Sequence, residues 1–393
     1  MPSPDLSTLK PTQYDGTAVL DEVVDAFRTY CVLPTQAAYP ALALYVAYTH
    51  AADCFQYAPR LLITSAEKRS GKSRVLDIVA ALANRPLISA NATVAAIFRT
   101  LSAETMRTVV FDEADTIFGT KVKAEQNEDL RGLINAGFMR GTPVLRCEGP
   151  THTPVEFEVF GPVVMAAIGR LPDTITDRAV NIRIKRRKKT EKVKPYRLKR
   201  DGDELRRLSE CLAVWVESIK PALEVSDPST PLEDRAADLW EPLIAVADEA
   251  GGRWPVRARE AALELTRAAA EDDEAASPGI ELLRDLRDVL EFMKRDFVPT
   301  SDTIRNLEAL EDSRWHGEGL TGKRLADMLR PYGVKAKSDG KARGYRRADL
   351  EDAFARYLST PPIQVSEAST SAPASGTSPD ASLTLDTSKR QVS

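Results

Sequence analysis

The sequence predicts an α/β core, a parallel sheet with helices on both faces, followed by a helical region and a C-terminal winged helix-turn-helix. Three observations predict it. Short, nearly continuous apolar runs at 61–64, 86–89, 108–111 and 163–168 alternate with amphipathic stretches, the pattern of strands buried on both faces and linked by helical crossovers. After residue 200 the strand-like runs stop and helical periodicity takes over. Near the C-terminus the order becomes helix, helix, hairpin, helix.

Each element follows from local chemistry. Residues 1–16 are expected to lack fixed structure. Residues 17–57 form an N-terminal helical segment with Phe27, Leu42, Leu44, Tyr45, Tyr48 and Phe55 among its apolar positions. The core spans 58–190. Its helices are expected at 72–83, where Val75, Leu76, Ile78, Val79 and Leu82 recur on a helical period, at 93–102, opened by a capping-type Asn or Thr, and at 127–137. A basic linker, 191–202, leads to a helical region, 203–300, with helices at 203–219, 231–250, 255–271 and 278–294. The last module, 301–358, has helices at 302–310 and 321–330, a hairpin turning near Asp339 and Gly340, and a closing helix at 348–358. Residues 359–393 hold too little apolar content to fold and are expected to be a disordered tail.

Bulk composition narrows the function classes. The chain has 393 residues, 43% hydrophobic and 28% charged, and a formal net charge of −4. No apolar run reaches the length of a membrane span, and the N-terminus lacks the basic start and apolar stretch of a signal peptide. A cytoplasmic protein with no membrane partner is therefore expected. The four cysteines, Cys31, Cys54, Cys147 and Cys211, are far apart and only three histidines are present, which argues against a zinc site and for reduced thiols.

Chemistry concentrates in two stretches. "LLITSAEKRSGKSRVLDIVAAL" joins a strand to a helix through Ala66, Glu67, Lys68, Arg69, Ser70, Gly71, Lys72, Ser73 and Arg74. A phosphate loop needs backbone N–H groups turned inward, a lysine for the β- and γ-phosphates, and a hydroxyl on Mg²⁺. Gly71, Lys72 and Ser73 supply the second half. Ala66 stands where the loop pattern asks for its first glycine. The second stretch, "TVVFDEAD", is an apolar strand ending in Asp112 and Glu113. Asp112 would hold Mg²⁺ together with Ser73, and Glu113 would orient a water for in-line attack on the γ-phosphate. A P-loop NTPase core using ATP and Mg²⁺ is the expected fold and chemistry. A small-molecule phosphotransferase is the alternative, and a water-activating glutamate argues against it.

Together with "NEDLRGLINAG", "AIGRLPDTITDRAVNIRI" and "ADLWEPLIAVADEAGGRWP", these stretches resemble an uncharacterised family of phage and mobile-element ATPases, often attached to primase modules. The ATPase part of that family resembles replicative helicases of the AAA+ type. The resemblance implies an ATP-hydrolysing helicase or translocase in replication of a phage or mobile element, assembled as a homo-oligomeric ring, with DNA and a primase or other replication protein as partners. A DNA-binding switch or loader that does not unwind stays open beside it. In ring-forming ATPases a polar residue ending the strand at 163–168 senses γ-phosphate, and a later arginine reaches the neighbour's nucleotide. Arg170 would be the sensor, since Gly169 departs from the polar pattern, and Arg178 the arginine finger. For both, an ion pair with Asp173 or Asp177 is the alternative.

DNA contacts are expected from basic residues. In the C-terminal module, 321–330 would be the recognition helix, opening with Lys323 and Arg324, and Lys335, Lys337, Lys341, Arg343 and Arg346 would lie on the wing. Arg140 and Arg146 are further candidates, with surface ion pairs as the alternative. The stretch 182–200, whose only acid is Glu191, is either a polyanion surface or a solvated linker.

Overall fold

A computed structural model describes residues 14–89, 97, 101, 105–118, 127–148, 153–293, 295–310, 315–316 and 319–358. The chain forms two compact units that divide after Ala276.

In the first unit, α1 (Gly16–Tyr30) begins where disorder was expected. Asp15 caps it, its carboxylate accepting the Thr17 N–H at 3.0 Å. Helix α2 (Ala38–Ala51) is apolar on every side, and all its residues but His50 are buried. The 17–57 segment is thus two helices, separated by an irregular stretch at 31–37.

Five strands form one wholly parallel sheet: β1 (Arg60–Ser65), β2 (Pro86–Ser89), β3 (Thr108–Phe111), β6 (Val163–Ile168) and β7 (Ala179–Arg183), ordered β2-β3-β6-β1-β7. The first four occupy the predicted apolar runs. β7 was not among them, because as an edge strand it alternates buried Val180 and Ile182 with Asn181 and Arg183. Helix α3 (Lys72–Leu82) follows β1 directly. Helix α4 (Asp115–Phe118) follows β3, and α5 (Glu128–Ala136) comes next. The helix predicted over 93–102 lies outside the described residues except for Ile97 and Leu101, both buried. A separate antiparallel hairpin, β4 (Val144–Glu148) with β5 (Thr153–Phe157), was not foreseen; its strands are short and largely exposed. Helix α6 (Asp173–Thr176) is a single turn between β6 and β7.

The sheet divides the unit into two apolar cores. On one face Leu61, Ile63, Val110, Val164 and Ala166 pack with α1, α2, α3 and the later helices. On the other, Leu62, Val109, Phe111, Met165 and Ala167 pack under α4 and α5. Both faces are covered, which explains the near-continuous apolar strands. At the start of β1 the fully buried Arg60 donates to Ala58 O (3.0 Å), Gly161 O (2.6 Å) and Ile134 O (2.7 Å). Those bonds offset the cost of burying a guanidinium.

Three long helices complete the unit: α7 (Leu198–Leu223), α8 (Asp234–Ala250) and α9 (Trp254–Ala276). The second unit holds α10 (Pro278–Met293), β8 (Phe297–Pro299), α11 (Thr300–Glu308), α12 (Gly322–Leu329), β9 (Lys337–Ser338), β10 (Arg343–Arg346) and α13 (Arg347–Tyr357). Its sheet order is β8-β10-β9, antiparallel. α10, assigned from sequence to the preceding helical region, contributes Leu282, Leu283, Leu286 and Leu290 to this unit's own core. The tail at 359–393 and residues 1–13 lie outside the described residues.

Candidate nucleotide site

The segment between β1 and α3 turns sharply. Gly71, the residue before α3, has φ 102, a conformation that suits glycine, and nothing stands within 4 Å of where a Cβ would sit. Its carbonyl accepts the Arg74 and Val75 N–H groups at 3.0 and 3.2 Å. Ala66, where the loop pattern asks for glycine, is exposed and has no positive φ. The left-handed step falls at Arg69, φ 64. One methyl at position 66 therefore demands no forbidden backbone. Glu67, Lys68 and Arg69 are exposed, and Ser70 is buried beneath them.

Lys72 folds back over this turn. Its ammonium donates to Ser65 Oγ at 2.6 Å and to Ser70 Oγ at 3.5 Å, while Ser65 Oγ donates to Glu67 O at 2.7 Å. Burial lowers the Lys72 pKa below the usual lysine value, and the carboxylates of Asp115 and Asp112 oppose that shift. The charge of the acidic strand end thus reaches this lysine. The geometry agrees: β1 and β3 both pair with β6, and two strand spacings set them about 10 Å apart.

Asp112 follows β3 and accepts the Glu113 N–H at 2.9 Å. Glu113 is exposed with φ 56, a left-handed step in the backbone just past the strand. Asp115, not singled out from sequence, accepts the Ile168 N–H at 2.8 Å and so ties the end of β6 to α4. Its signal was present as the third acid of the quoted stretch. Gly169, φ 77, leaves the sheet there, its N–H bonded to Ser65 O at 2.9 Å.

The oxygen donors fit Mg²⁺. Among the described residues no group of three His, Cys, Asp or Glu side chains is placed to hold a metal unaided. Mg²⁺ asks for less, since one or two protein oxygens plus phosphate and water complete its shell. Ser73 opens α3, and Asp77, one turn on, shares its face. The Asp77 carboxyl is raised first by burial and further by the charge of Asp112, with Arg74 opposing. Asp77, on that face of α3, thus feels the charge of Asp112.

Beside the loop a cleft of about 600 Å³ opens between Pro34 and Thr35, the loop residues Ala66, Glu67 and Ser70, β7, and α9. Arg183, Lys185 and Arg186 line it, with Leu265, Ala268 and Ala269 as its apolar wall. None of these was named as a site residue from sequence, because the cleft joins segments far apart in the chain. Arg170 lies on the same side. It donates to Asp272 O at 2.9 Å and pairs with Asp273, while Arg183 pairs with Asp272. The expected alternative partners, Asp173 and Asp177, are not the ones used.

Arg178 stands apart from this site. Its carbonyl accepts the N–H of Arg60, the first residue of β1, so it sits at the opposite end of the strands from the loop. Its guanidinium donates to Thr174 O at 2.7 Å and lies 5.9 Å from the Phe138 ring centre. Its pKa is lowered, first by burial and then by Arg235, with Asp177 opposing.

The expected DNA contacts divide. Arg140 is expended internally, donating to the carbonyls of Phe55, Ala52 and Asp53 and stacking 4.3 Å over Phe160. Arg146 pairs with Asp129 at 3.0 Å. In the second unit Lys323, Arg324, Lys335, Lys341, Arg343 and Arg346 are exposed, and Lys337 is exposed but paired with Asp349 at 2.6 Å. Thr321 caps α12, accepting the Arg324 N–H at 3.2 Å. Asp339 shapes the hairpin turn by accepting the N–H groups of Lys341 and Ala342.

Residues 183–357 match the model of a family described as "Protein of unknown function (DUF3631)". Among solved structures, the apo C-terminal region of NrS-1 is similar with a TM-score of 0.41 at 13% identity, covering 88% of this chain and 78% of that one. The RuvB Holliday junction branch migration motor of Thermotoga maritima is similar with a TM-score of 0.27 at 13% identity, over 84% of this chain and 96% of that one. At these low scores the fold rests on the strand order and register described above. An "Uncharacterized 28.9 kDa protein in xis 5'region" from Saccharopolyspora erythraea is 40% identical over 187 residues, 46% of this chain and 70% of that protein. The chain belongs to the family of that Saccharopolyspora erythraea protein.

Proposed function

We propose that the protein hydrolyses ATP and couples hydrolysis to movement along DNA, as a helicase or translocase in replication of a phage or mobile element. One observation carries the ATPase reading. The turn holding Lys72 and the acids Asp112, Glu113 and Asp115 leave the same end of one parallel sheet, separated by a single strand, with Lys72 inside the field of the acids. Ligands of open α/β sheets bind outside the carboxyl ends of the strands.

The residues take distinct roles. The backbone N–H groups opening α3 receive the β-phosphate. Lys72 exchanges Ser65 Oγ for phosphate oxygen and balances charge that builds on the transferring group. Ser73 and Asp112 would hold Mg²⁺, which would supply charge neutralisation to the phosphates. Glu113 orients water for in-line attack. The cleft toward Pro34 and α9 receives the nucleoside. The second unit's order of helix, strand, two helices and two strands supports reading it as a winged helix-turn-helix, with Lys323 and Arg324 toward the groove and Lys341, Arg343 and Arg346 along phosphates.

The test is the rate of phosphate release with and without single- and double-stranded DNA. Wild type should turn over without an added acceptor, which excludes a phosphotransferase. Lys72→Ala should lose at least about 100-fold, and Glu113→Gln should retain nucleotide binding without turnover. Wild-type rates for Glu113→Gln would remove that residue from its role. Strand separation on a tailed duplex that requires hydrolysis would decide for a motor over a switch or loader.

A further inference from the structure

The segment leaving β7 carries five cations in succession, Lys185, Arg186, Arg187, Lys188 and Lys189, all exposed. It is not a loose linker. Ile184 is buried and its N–H donates to Thr64 O at 2.7 Å. Downstream, the Lys194 N–H donates to Thr29 O at 2.8 Å, and the Tyr196 ring packs edge-on against Tyr30 with the Arg74 guanidinium 5.3 Å from its centre. The segment is therefore fastened at both ends to the α/β unit.

The cations of this zone divide by what they touch. Lys194 and Arg200 converge on Asp201, a carboxylate buried at the start of α7, each at 2.9 Å. Arg200, Lys194 and the Arg197 N–H hold that carboxyl far below its usual range. These later charges fasten the strap. The five earlier ones meet no acid: among the described residues none has a carboxylate within ion-pair distance. Glu191, the nearest acid in sequence, is engaged by the backbone, its carboxylate accepting the Lys188 N–H at 2.7 Å, and Glu67, Glu271 and Asp272 share the cleft with Lys185 and Arg186 without an ion pair to them. Five like charges held side by side on a fastened segment repel one another; salt screens them in part, and an external anion with repeated charges can meet all of them together. No apolar or aromatic residue interrupts 185–189, so the strip offers neither a wedge for a bilayer nor a platform for a base. It offers charge alone, the chemistry of a sequence-independent phosphodiester contact.

We propose that this strip is a nucleic-acid backbone site on the α/β unit itself, centred on Arg187, Lys188 and Lys189. It begins at the lip of the nucleotide cleft, where Lys185 and Arg186 stand. The choice of nucleic acid among polyanions rests on the DNA-acting reading above; the unpaired charge does not.

The test uses the full chain and a labelled single-stranded thymidine oligonucleotide, with binding followed by anisotropy between about 50 and 200 mM salt. Arg187→Ala/Lys188→Ala/Lys189→Ala should bind about ten-fold or more weakly at low salt. Its log–log salt slope should fall by about 2, three contacts at about 0.7 each. ATP turnover without DNA should not change and the thermal midpoint should not fall, since these side chains touch neither nucleotide site nor core and their loss relieves mutual repulsion. Arg187→Lys should bind as wild type. An unchanged slope in the triple variant overturns the proposal, as does equal binding of the wild type to phosphatidylserine vesicles with the same loss in the variant. If DNA binds through the strip but never alters ATP turnover, the motor reading fails and the strip stands. If turnover responds to DNA in wild type and triple variant alike, the strip fails and the motor reading stands.

Discussion

Glu113 carries a left-handed backbone, φ 56, which costs an L-residue about 1–2 kcal/mol. The side chain is exposed, so substitutions there report on backbone and chemistry with little packing change. Glycine removes the strain but adds freedom to the unfolded chain, worth roughly 0.5–1 kcal/mol the other way. Glu113→Gly should therefore leave stability within about 1 kcal/mol of wild type, while β-branched Glu113→Val lowers it by about 1–2 kcal/mol. Both should lose hydrolysis. Thermal melting beside a phosphate-release assay checks this, and equal midpoints for the two variants would mean the turn is not held left-handed. At this scale the positions of the candidate residues were legible: Lys72, Ser73, Asp112 and Glu113 stand in a glycine-bounded turn and at a strand end, where polar groups interrupt apolar runs. Ser65 and Asp115 were not, because their partners, the Lys72 ammonium and the Ile168 N–H, are neighbours only across the folded sheet.

Among elements, legibility followed burial. β1, β3 and β6 are covered on both faces and read as unbroken apolar runs. β7 and the β4–β5 hairpin lie at an edge or on the surface, where polar residues alternate and the run is lost; β8 is apolar but only three residues long, and β2, an exposed edge strand, is the exception, legible from its short apolar run alone. The most informative miss is functional: the acids of α9. Asp272 and Asp273 drew no site reading from the sequence, yet they face Arg183 and Arg170 across the cleft beside the turn after Ser65. Burial raises the Asp273 carboxyl, with the Arg170 charge opposing. On the proposed function, an incoming triphosphate would compete with these carboxylates for the same two guanidinium groups. Each pair is about half exposed, so each is worth no more than about 1 kcal/mol. Asp272→Asn/Asp273→Asn should tighten ATP binding by about three- to ten-fold at low salt, with the gain shrinking as salt rises. A fluorescent nucleotide titration reads this directly, and unchanged or weaker binding would mean the acids do not hold the arginines from phosphate.

For the whole molecule, the placement of Arg178 sets the requirement. It lies before β7, at the end of the sheet opposite the loop after Ser65. Six residues of strand at about 3.3 Å each put roughly 20 Å between it and its own chain's phosphate turn. An arginine cannot span that, so any role at a γ-phosphate must be played on another copy. Its guanidinium already meets Thr174 O and the Phe138 ring, and burial, with Arg235 nearby, lowers its pKa. If the protein acts as the proposed ring, a head-to-tail interface would place Arg178 of one copy against the next copy's turn after Ser65. Arg178→Ala and Glu113→Gln should then each be inactive alone but complement when mixed. A site in an Arg178→Ala copy keeps its own Glu113 and receives an intact arginine whenever its neighbour is a Glu113→Gln copy. Random assembly at equal ratio creates such junctions at about one interface in four, so mixing should return up to roughly a quarter of wild-type turnover. Activity that rises with the mixing ratio and peaks near equality identifies a shared site. No recovery at any ratio, with exchange of copies verified by labelled subunits, would confine the chemistry to one chain and leave Arg178 as a brace between α6 and α5.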